Sequence, residues 1–331
     1  MKQYLDLLRR IRDTGTRQAN RTGIDSIFVP GAMMQFDLRE GFPAVTTKKL
    51  FFKKTIGENI GFLQGKDNAA DFRALGCDIW DGNANRDGVD LAGNVVPNLW
   101  LTNKNRKGED DLGRIYGVQW RHWRGKPILK ESTPVFSDAK NMHFLAEMDF
   151  IEVDQVQNIL AKLKTNPTDR RMIINAWRPD EFDQMALPPC HIMYQFIANV
   201  EKNELHLCMY QRSCDMFLGV PFNIAGSSIL LTVIAALTGF QPATFTHFLA
   251  DAHIYVNHLE QIELQLSREP KQAPVLAYTG PGSEEWNSEN EIPLYSSDGI
   301  ICASVFDELK PEHFNLLDYD PHPAIKADMA V

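Results

Sequence analysis

The chain has 331 residues, room for about two domains at roughly 150 residues each or for one large α/β domain carrying insertions. Apolar residues make up 44% and charged residues 23%, an ordinary globular composition, and 34 basic against 43 acidic residues leave a net charge of −9, which argues against a general binder of nucleic acid. Five cysteines, none spaced C-x-x-C, exclude a zinc ribbon or thioredoxin motif and fit reduced thiols in the cytosol.

The opening MKQYLDLLRRIRDTG is broken by charges every few residues and lacks the apolar centre of a secretory signal. Within it Tyr4, Leu5, Leu7, Leu8 and Ile11 fall at helical spacing. Ser26 to Leu38 reads as strand, interrupted by Pro30 and Gly31. Phe51, Phe52, Ile56, Ile60, Phe62 and Leu63 predict a helix over 50–64, ending near Gly65. Residues 83–113 are rich in Asn, Asp, Gly and Lys and read as a loop or surface insertion, and 125–150 are of mixed character. An amphipathic helix is expected over 154–164, stopped by Asn166-Pro167, followed by strands over 172–177, 192–200 and 204–211. Ile224 to Phe240 is the longest apolar run; its length and flanks favour a buried core helix over a membrane span. Ile254, Leu259, Ile262 and Leu266 predict a helix over 252–267, and 280–304 again read as a surface insertion. With no internal repeat and no linker, one domain over 1–331 is expected, with insertions at 84–113, 125–150 and 280–304.

Several groups carry candidate chemistry. Cys190, in Pro188-Pro189-Cys190-His191, stands at the entrance of a strand as either a structural cysteine or a nucleophile. Adjacent strand residues point to opposite faces, so His191 is not expected to be its direct base, and a thiolate there needs another support such as arginine. Gln211-Arg212-Ser213-Cys214-Asp215 ends a strand, and Phe217 to Asn223 leads into an apolar helix starting near Pro221, a common ligand position in α/β proteins. Arg212 and Ser213 suit an oxyanion, Asp215 an N–H-rich ring, and Asn223 the edge of an amide-like base; a turn with a solvated Arg–Asp pair is the competing account. Arg21, in Asn20-Arg21-Thr22-Gly23, and Asp169-Arg170-Arg171 supply further arginines, as anion ligands or as surface charge. In Asp251 to His258, extended backbone would aim His253 and Tyr255 at one site, whereas helical backbone would pair His253 with Asn257. No Cys or third His stands there at zinc-ligand spacing, and His258 reads as a helix-surface or core histidine. Glu58, on a mostly apolar helix, lies on its wet face or is buried with a raised pKa suited to proton transfer. Trp80-Asp81 and Tyr116 to Trp120 offer aromatic surface, for a flat ligand or for the core.

At these residues the sequence resembles the thymidylate synthase family. The matching segments are Arg21-Thr22-Gly23, Phe42-Pro43 through Lys48, Phe62-Leu63-Gln64-Gly65, Trp80-Asp81, Tyr116-Gly117 to Trp120, Asp169-Arg170-Arg171, Pro189-Cys190-His191, Gln195-Phe196, Gln211 to Ala225, Asp251 to His258, Leu264 to Pro270 and Tyr319 to Pro323. They keep one order along nearly the whole chain. The resemblance implies a mixed α/β fold on a large, mostly antiparallel sheet, and a cytoplasmic homodimer that methylates dUMP with 5,10-methylenetetrahydrofolate and needs no metal. It implies a catalytic set of Cys190, Glu58, Arg212 and Tyr255. It places dUMP against Arg21, Arg212, Ser213, Asp215, Asn223, His253 and Tyr255, with Arg170 and Arg171 reaching across from a second subunit. Folate is expected against Ile79, Trp80, Asp215, Leu218, Gly219 and Phe222, under a C-terminal tail containing Ala330.

The sequence also departs from the family pattern. Phe51 stands where many bacterial relatives have His, Asn83 replaces a common aromatic, and Asp328 is acidic where relatives are usually apolar. Two other functions compete: a pyrimidine nucleotide hydroxymethylase, in which water ends the reaction, and a catalytically silent nucleotide-binding regulatory protein.

Overall fold

The longest apolar run folds as one helix, Gly219–Thr238, in which Pro221 occupies the first turn, where its missing N–H leaves no hydrogen bond unmade. It stops at Gly239, whose φ of +80° is the left-handed conformation that ends many helices. By length and composition this helix is apolar enough to cross a membrane, but 78% of its apolar window is buried inside the protein, as befits a core helix. The computed structural model describes residues 1–20, 22–84, 87–89, 95–97, 101, 105–129, 133–138, 141–145, 148–286 and 299–328.

The buried helix is the crossover between two parallel strands, Glu204–Asp215 and Gln241–Tyr255. These form the centre of a six-stranded sheet with the spatial order Thr16–Gln18, Ser26–Asp37, Gln241–Tyr255, Glu204–Asp215, His191–Asn199, Ile173–Asn175. Every other pairing in it is antiparallel. The expected mixed, mostly antiparallel sheet with packed helices is therefore present. The helix Phe52–Leu63 lies against the crossover helix, and the approach depends on Gly226: a Cβ there would fall 2.6 Å from Asn59 Nδ2. Phe62 then packs its ring among Phe72, Trp80, Tyr116 and Trp120, fixing the helix that carries Glu58.

Three elements differ in kind or extent from the sequence reading in ways that bear on the site. The helix expected over 252–267 is strand as far as Tyr255, then a 3-10 turn Val256–His258, then a helix Leu259–Leu266. Ile254 fits either period; in the sheet it is a buried residue opposite Ile27. The strand expected to end at Gln211 continues to Asp215, which carries Arg212 and Ser213 on sheet backbone. Ser26–Asp37 is one strand through Pro30, because Gly31 adopts a φ of +62° while the pairing with Gln241–Tyr255 keeps its register.

Of the expected insertions, 125–150 contains two antiparallel pairs, Trp123–Leu129 with Met148–Val153 and Thr133–Asp138 with Asn141–Leu145. The end of 84–113 is docked into the body of the protein: Leu112 is fully buried, and Asp111 accepts the N–H groups of Lys107 and Gly113. Much of 85–104 and all of 287–298 lie outside the described residues.

Candidate active site

Where the two parallel strands end beside the first turn of the crossover helix, the protein opens into a cavity of about 460 Å³. Its wall brings together Glu58, Ile79, Trp80, Cys190, Arg212, Ser213, Asp215, Gly219, Asn223, His253 and Tyr255, residues spread over nearly 200 positions of sequence. Leu218 and Phe222 are partly buried and pack on the core beside that wall. Arg170 and Arg171 are exposed at the turn before Ile173–Asn175, where Arg171 is paired with Asp169 at 2.9 Å. Arg21 and Ala330 lie outside the described residues.

Cys190 immediately precedes the strand His191–Asn199, and its carbonyl accepts the Arg212 N–H at 2.8 Å. The Arg212 guanidinium is held by two main-chain carbonyls, Nε on Pro189 and Nη2 on Pro188, both at 2.8 Å. That clamp leaves Nη2 3.8 Å from Cys190 Sγ. A fixed cation beside the sulfur favours negative charge on it. His191 behaves differently. Cys190 lies in the bend before the strand starts at His191, so strand alternation does not separate the two, and both line the cavity. But His191 Nδ1 lies 2.9 Å from the Tyr194 hydroxyl, and burial pulls the ring down to about 3. A neutral imidazole of that kind cannot supply the cation for a thiolate, which leaves Arg212 in that role.

Asn223 sits near the start of the crossover helix, with its amide turned by a relay. Gln211 Nε2 donates to Asn223 Oδ1 and to the Ser213 carbonyl, both at 2.9 Å. His247 Nε2 lies 2.9 Å from Gln211 Oε1. Burial, with a lesser push from His191, lowers His247 to about 3, so it is neutral and donates from Nε2. The network therefore assigns all three side chains one polarity.

Asp215 ends its strand by capping the turn: Oδ1 accepts the N–H groups of Phe217 at 3.0 Å and Leu218 at 3.2 Å. His253 and Tyr255 share one face of their strand, as extended backbone requires, with ring centroids 5.2 Å apart. Burial opposes charge on His253, but Asp251, 3.1 Å from Nδ1, outweighs it and raises the pKa. Glu58 touches the cavity along one edge and is otherwise enclosed by protein. That enclosure lifts its carboxyl to about 7, although Trp80 Nε1 donates to Oε1 at 3.1 Å.

Other wall and support residues were not singled out as site residues. Tyr116 accepts the Cys190 N–H at 2.7 Å, and Trp177 lies 5.3 Å from the Arg212 guanidinium, face to cation. Asp251 and Gln211 orient residues that were singled out. Gln211, Asp251 and Tyr116 stand inside the matching segments, but their roles are not readable there, since partners 36 or 74 positions apart meet only in the fold. Among the described residues, no group of three His, Cys, Asp or Glu side chains is placed to hold a metal ion.

Comparison with known proteins agrees with this geometry. The family model for thymidylate synthase matches residues 2–331. A thymidylate synthase of Pseudomonas putida is 42% identical over the full length of both chains. The human thymidylate synthase is 38% identical, over 99% of this chain and 90% of its own. A bifunctional dihydrofolate reductase-thymidylate synthase of Leishmania major is 38% identical over all of this chain and 55% of its own length.

Proposed function

Because the chain belongs to the thymidylate synthase family, we propose that this cavity converts dUMP to dTMP, with 5,10-methylenetetrahydrofolate as co-substrate and dihydrofolate as by-product. The observation that carries the reading is the clamped Arg212 beside Cys190, facing Asn223 across one cavity.

The residues act as follows. Cys190 adds as thiolate to C6 of the uracil, which removes the 5,6 double bond and makes C5 nucleophilic. Arg212 balances the sulfur charge and, with Ser213, offers donors to the nucleotide phosphate. Asn223 presents both a donor and an acceptor to the uracil edge, while His253 and Tyr255 meet the deoxyribose. A group that titrates near neutral pH can both take and return a proton, so Glu58 suits transfer at the base through water. The apolar wall of Ile79, Trp80 and Leu187, with the Asp215 carboxylate, fits a flat N–H-bearing ring. The folate bound there supplies the one-carbon unit and then the hydride. Trp80, almost wholly buried beside Glu58, helps exclude water from that step.

We read the enzyme as one domain, supported by a single core cluster running from Tyr4 to Phe314. We read it as a homodimer with shared sites. The outer face of the sheet carries exposed Met33, Phe248, Tyr210 and Met193, which are successive register partners across four strands. An apolar stripe of that kind suits a second copy of the same surface. Arg170 lies at the edge of the same sheet, where its carbonyl accepts Gln195 Nε2, so pairing of the faces would carry Arg170 and Arg171 toward the partner. That the five cysteines form no disulfide supports a reducing, cytoplasmic setting.

A hydroxymethylase would leave water as the final nucleophile, against which Trp80 stands; a silent binding protein would not need a cation fixed at Cys190. The test is incubation with 5-fluoro-dUMP and methylenetetrahydrofolate. A covalent complex at Cys190 and a dTMP-mass product from dUMP are expected. A hydroxymethyl product, or no covalent capture, would overturn the reading.

A further inference from the structure

The chain end is tied down in steps. Thr46 accepts the His322 N–H at 2.8 Å, Arg268 donates to the Pro323 carbonyl at 2.7 Å, and Ile325 and Ala327 pack on the core. The last tie comes from a residue the mechanism above does not use. His258 is fully buried, and its Nε2 donates to the Asp328 carbonyl at 2.7 Å. Its Nδ1 is buried without a hydrogen-bond partner, so this one bond holds the ring by its polar edge.

The ring also touches both halves of the site. It lies 5.9 Å from the ring of Tyr255, which lines the nucleotide side. It lies 5.4 Å from the ring of Phe217, whose N–H is held by Asp215 and whose other neighbour is the Lys48 ammonium, 3.6 Å from the ring centre. Phe217 leads directly into Leu218 and Gly219 of the expected folate wall. A single imidazole thus joins the nucleotide contact, the folate wall and the chain end.

We infer that His258 is the positioning residue for the C-terminal tail: its bond to the Asp328 carbonyl, made from a ring set against Tyr255 and Phe217, aligns the tail over the folate side. This rests on the reading that the tail bearing Ala330 covers folate. His258 does not itself touch the reacting atoms. Its loss should raise KM for folate and lower kcat, leaving dUMP affinity nearly unchanged.

Four proteins test this: His258→Phe, which keeps the ring without a donor; His258→Gln, whose amide nitrogen reaches as far as Nε2; His258→Asn, whose amide falls short; and a chain ending at Lys326. His258→Phe and His258→Asn should lose about tenfold in kcat/KM for methylenetetrahydrofolate, as expected for one hydrogen bond that leaves a buried partner unmet. Their dUMP dissociation constants should stay within about twofold, because the bond is not made to nucleotide. His258→Gln should recover most of the loss. If His258→Phe fails to fold, the contrast between Gln and Asn decides. Equal kinetics for Gln and Asn, wild-type kinetics in both His258→Phe and His258→Asn, or a parallel loss of dUMP binding would overturn the proposal. The truncated chain separates the two readings. Unchanged turnover there removes the lid itself, whereas lost turnover there with wild-type His258 variants removes only the role of His258.

Discussion

Arg212 approaches Cys190 from a fixed direction: two carbonyls at 2.8 Å hold its guanidinium, and Nη2 stops 3.8 Å from Sγ. The clamp needs a planar group with donors on two sides, which lysine does not offer. Arg212→Lys should therefore keep the charge but lose its placement. Turnover should fall at least about tenfold, given that hydrogen bonds to charged groups contribute roughly 1.5–3 kcal/mol each. Cys190→Ser should bind dUMP and turn over none of it, since a neutral hydroxyl is a far poorer nucleophile than a thiolate. Steady-state kinetics with dUMP binding measured separately checks both. A fully active Cys190→Ser protein would remove the nucleophile assignment.

This pair also shows what was legible in the sequence. The motif around Cys190 and the segment from Gln211 to Asn223 were readable, and eleven expected residues meet in one cavity because strand ends and a helix start deliver them there. The helix at 252–267 was misread because the apolar positions from Ile254 onward satisfy a 3.6 period, while the strand's pairing with Ser26–Asp37 is non-local. The expectation that His191 is not the base of Cys190 agrees with its buried, neutral ring bonded to Tyr194, even though both residues line the cavity, because Cys190 lies ahead of the strand that starts at His191. The polarity of Asn223 was beyond reach, because it is set by His247 through Gln211.

Glu58 makes stability depend on pH in a stated direction. Burial raises its carboxyl from 4.5 to about 7. Below pH 4.5 the group is protonated in both states and makes no difference. Between 4.5 and about 7 the unfolded chain ionises first, so stability falls as pH rises, and the penalty is complete above about 7. Its size is at most on the order of 3 kcal/mol. Glu58→Gln keeps an acceptor for Trp80 and removes the penalty. Urea unfolding of both proteins should show an advantage for Gln that grows from pH 4.5 to 7.5. A constant difference would mean that Glu58 is not enclosed as described.

A site shared between two subunits, as proposed above, predicts complementation. The Arg171 side chain is 81% exposed and, among the described residues, pairs with Asp169, and on its own subunit it stands apart from the cavity wall. Cys190→Ser lacks the nucleophile, and the double variant Arg170→Ala/Arg171→Ala lacks the arginines. Mixed subunits should regain activity, since one site in each heterodimer is intact. Up to about a quarter of wild-type activity is expected for random exchange, with half the dimers mixed and one working site in each. No recovery after mass spectrometry has shown heterodimers would place those arginines outside the site.

Base choice follows from the relay that ends at Asn223. Uracil presents an acceptor at O4 and a donor at N3, and a side-chain amide can answer both. Cytosine reverses the pattern, so it would need the amide flipped. Gln211 resists that flip: its Nε2 donates to Asn223 Oδ1, and a reversed amide would set two N–H donors against each other. Gln211 is itself held the same way round by His247. An unpaired buried polar group costs roughly 1–3 kcal/mol, about tenfold to a hundredfold in preference. Asn223→Asp keeps the acceptor for Gln211 and replaces the donor facing the base, so it should weaken dUMP and favour dCMP relatively. Gln211→Leu should act through the same amide from the other side, letting it turn and narrowing the preference without touching the base. The measurement is the ratio of kcat/KM for dUMP and dCMP in the three proteins. If both variants keep the original ratio, the amide does not read the base, and discrimination must lie in another part of the wall. If only Asn223→Asp changes it, Asn223 is the reader but Gln211 does not set its polarity.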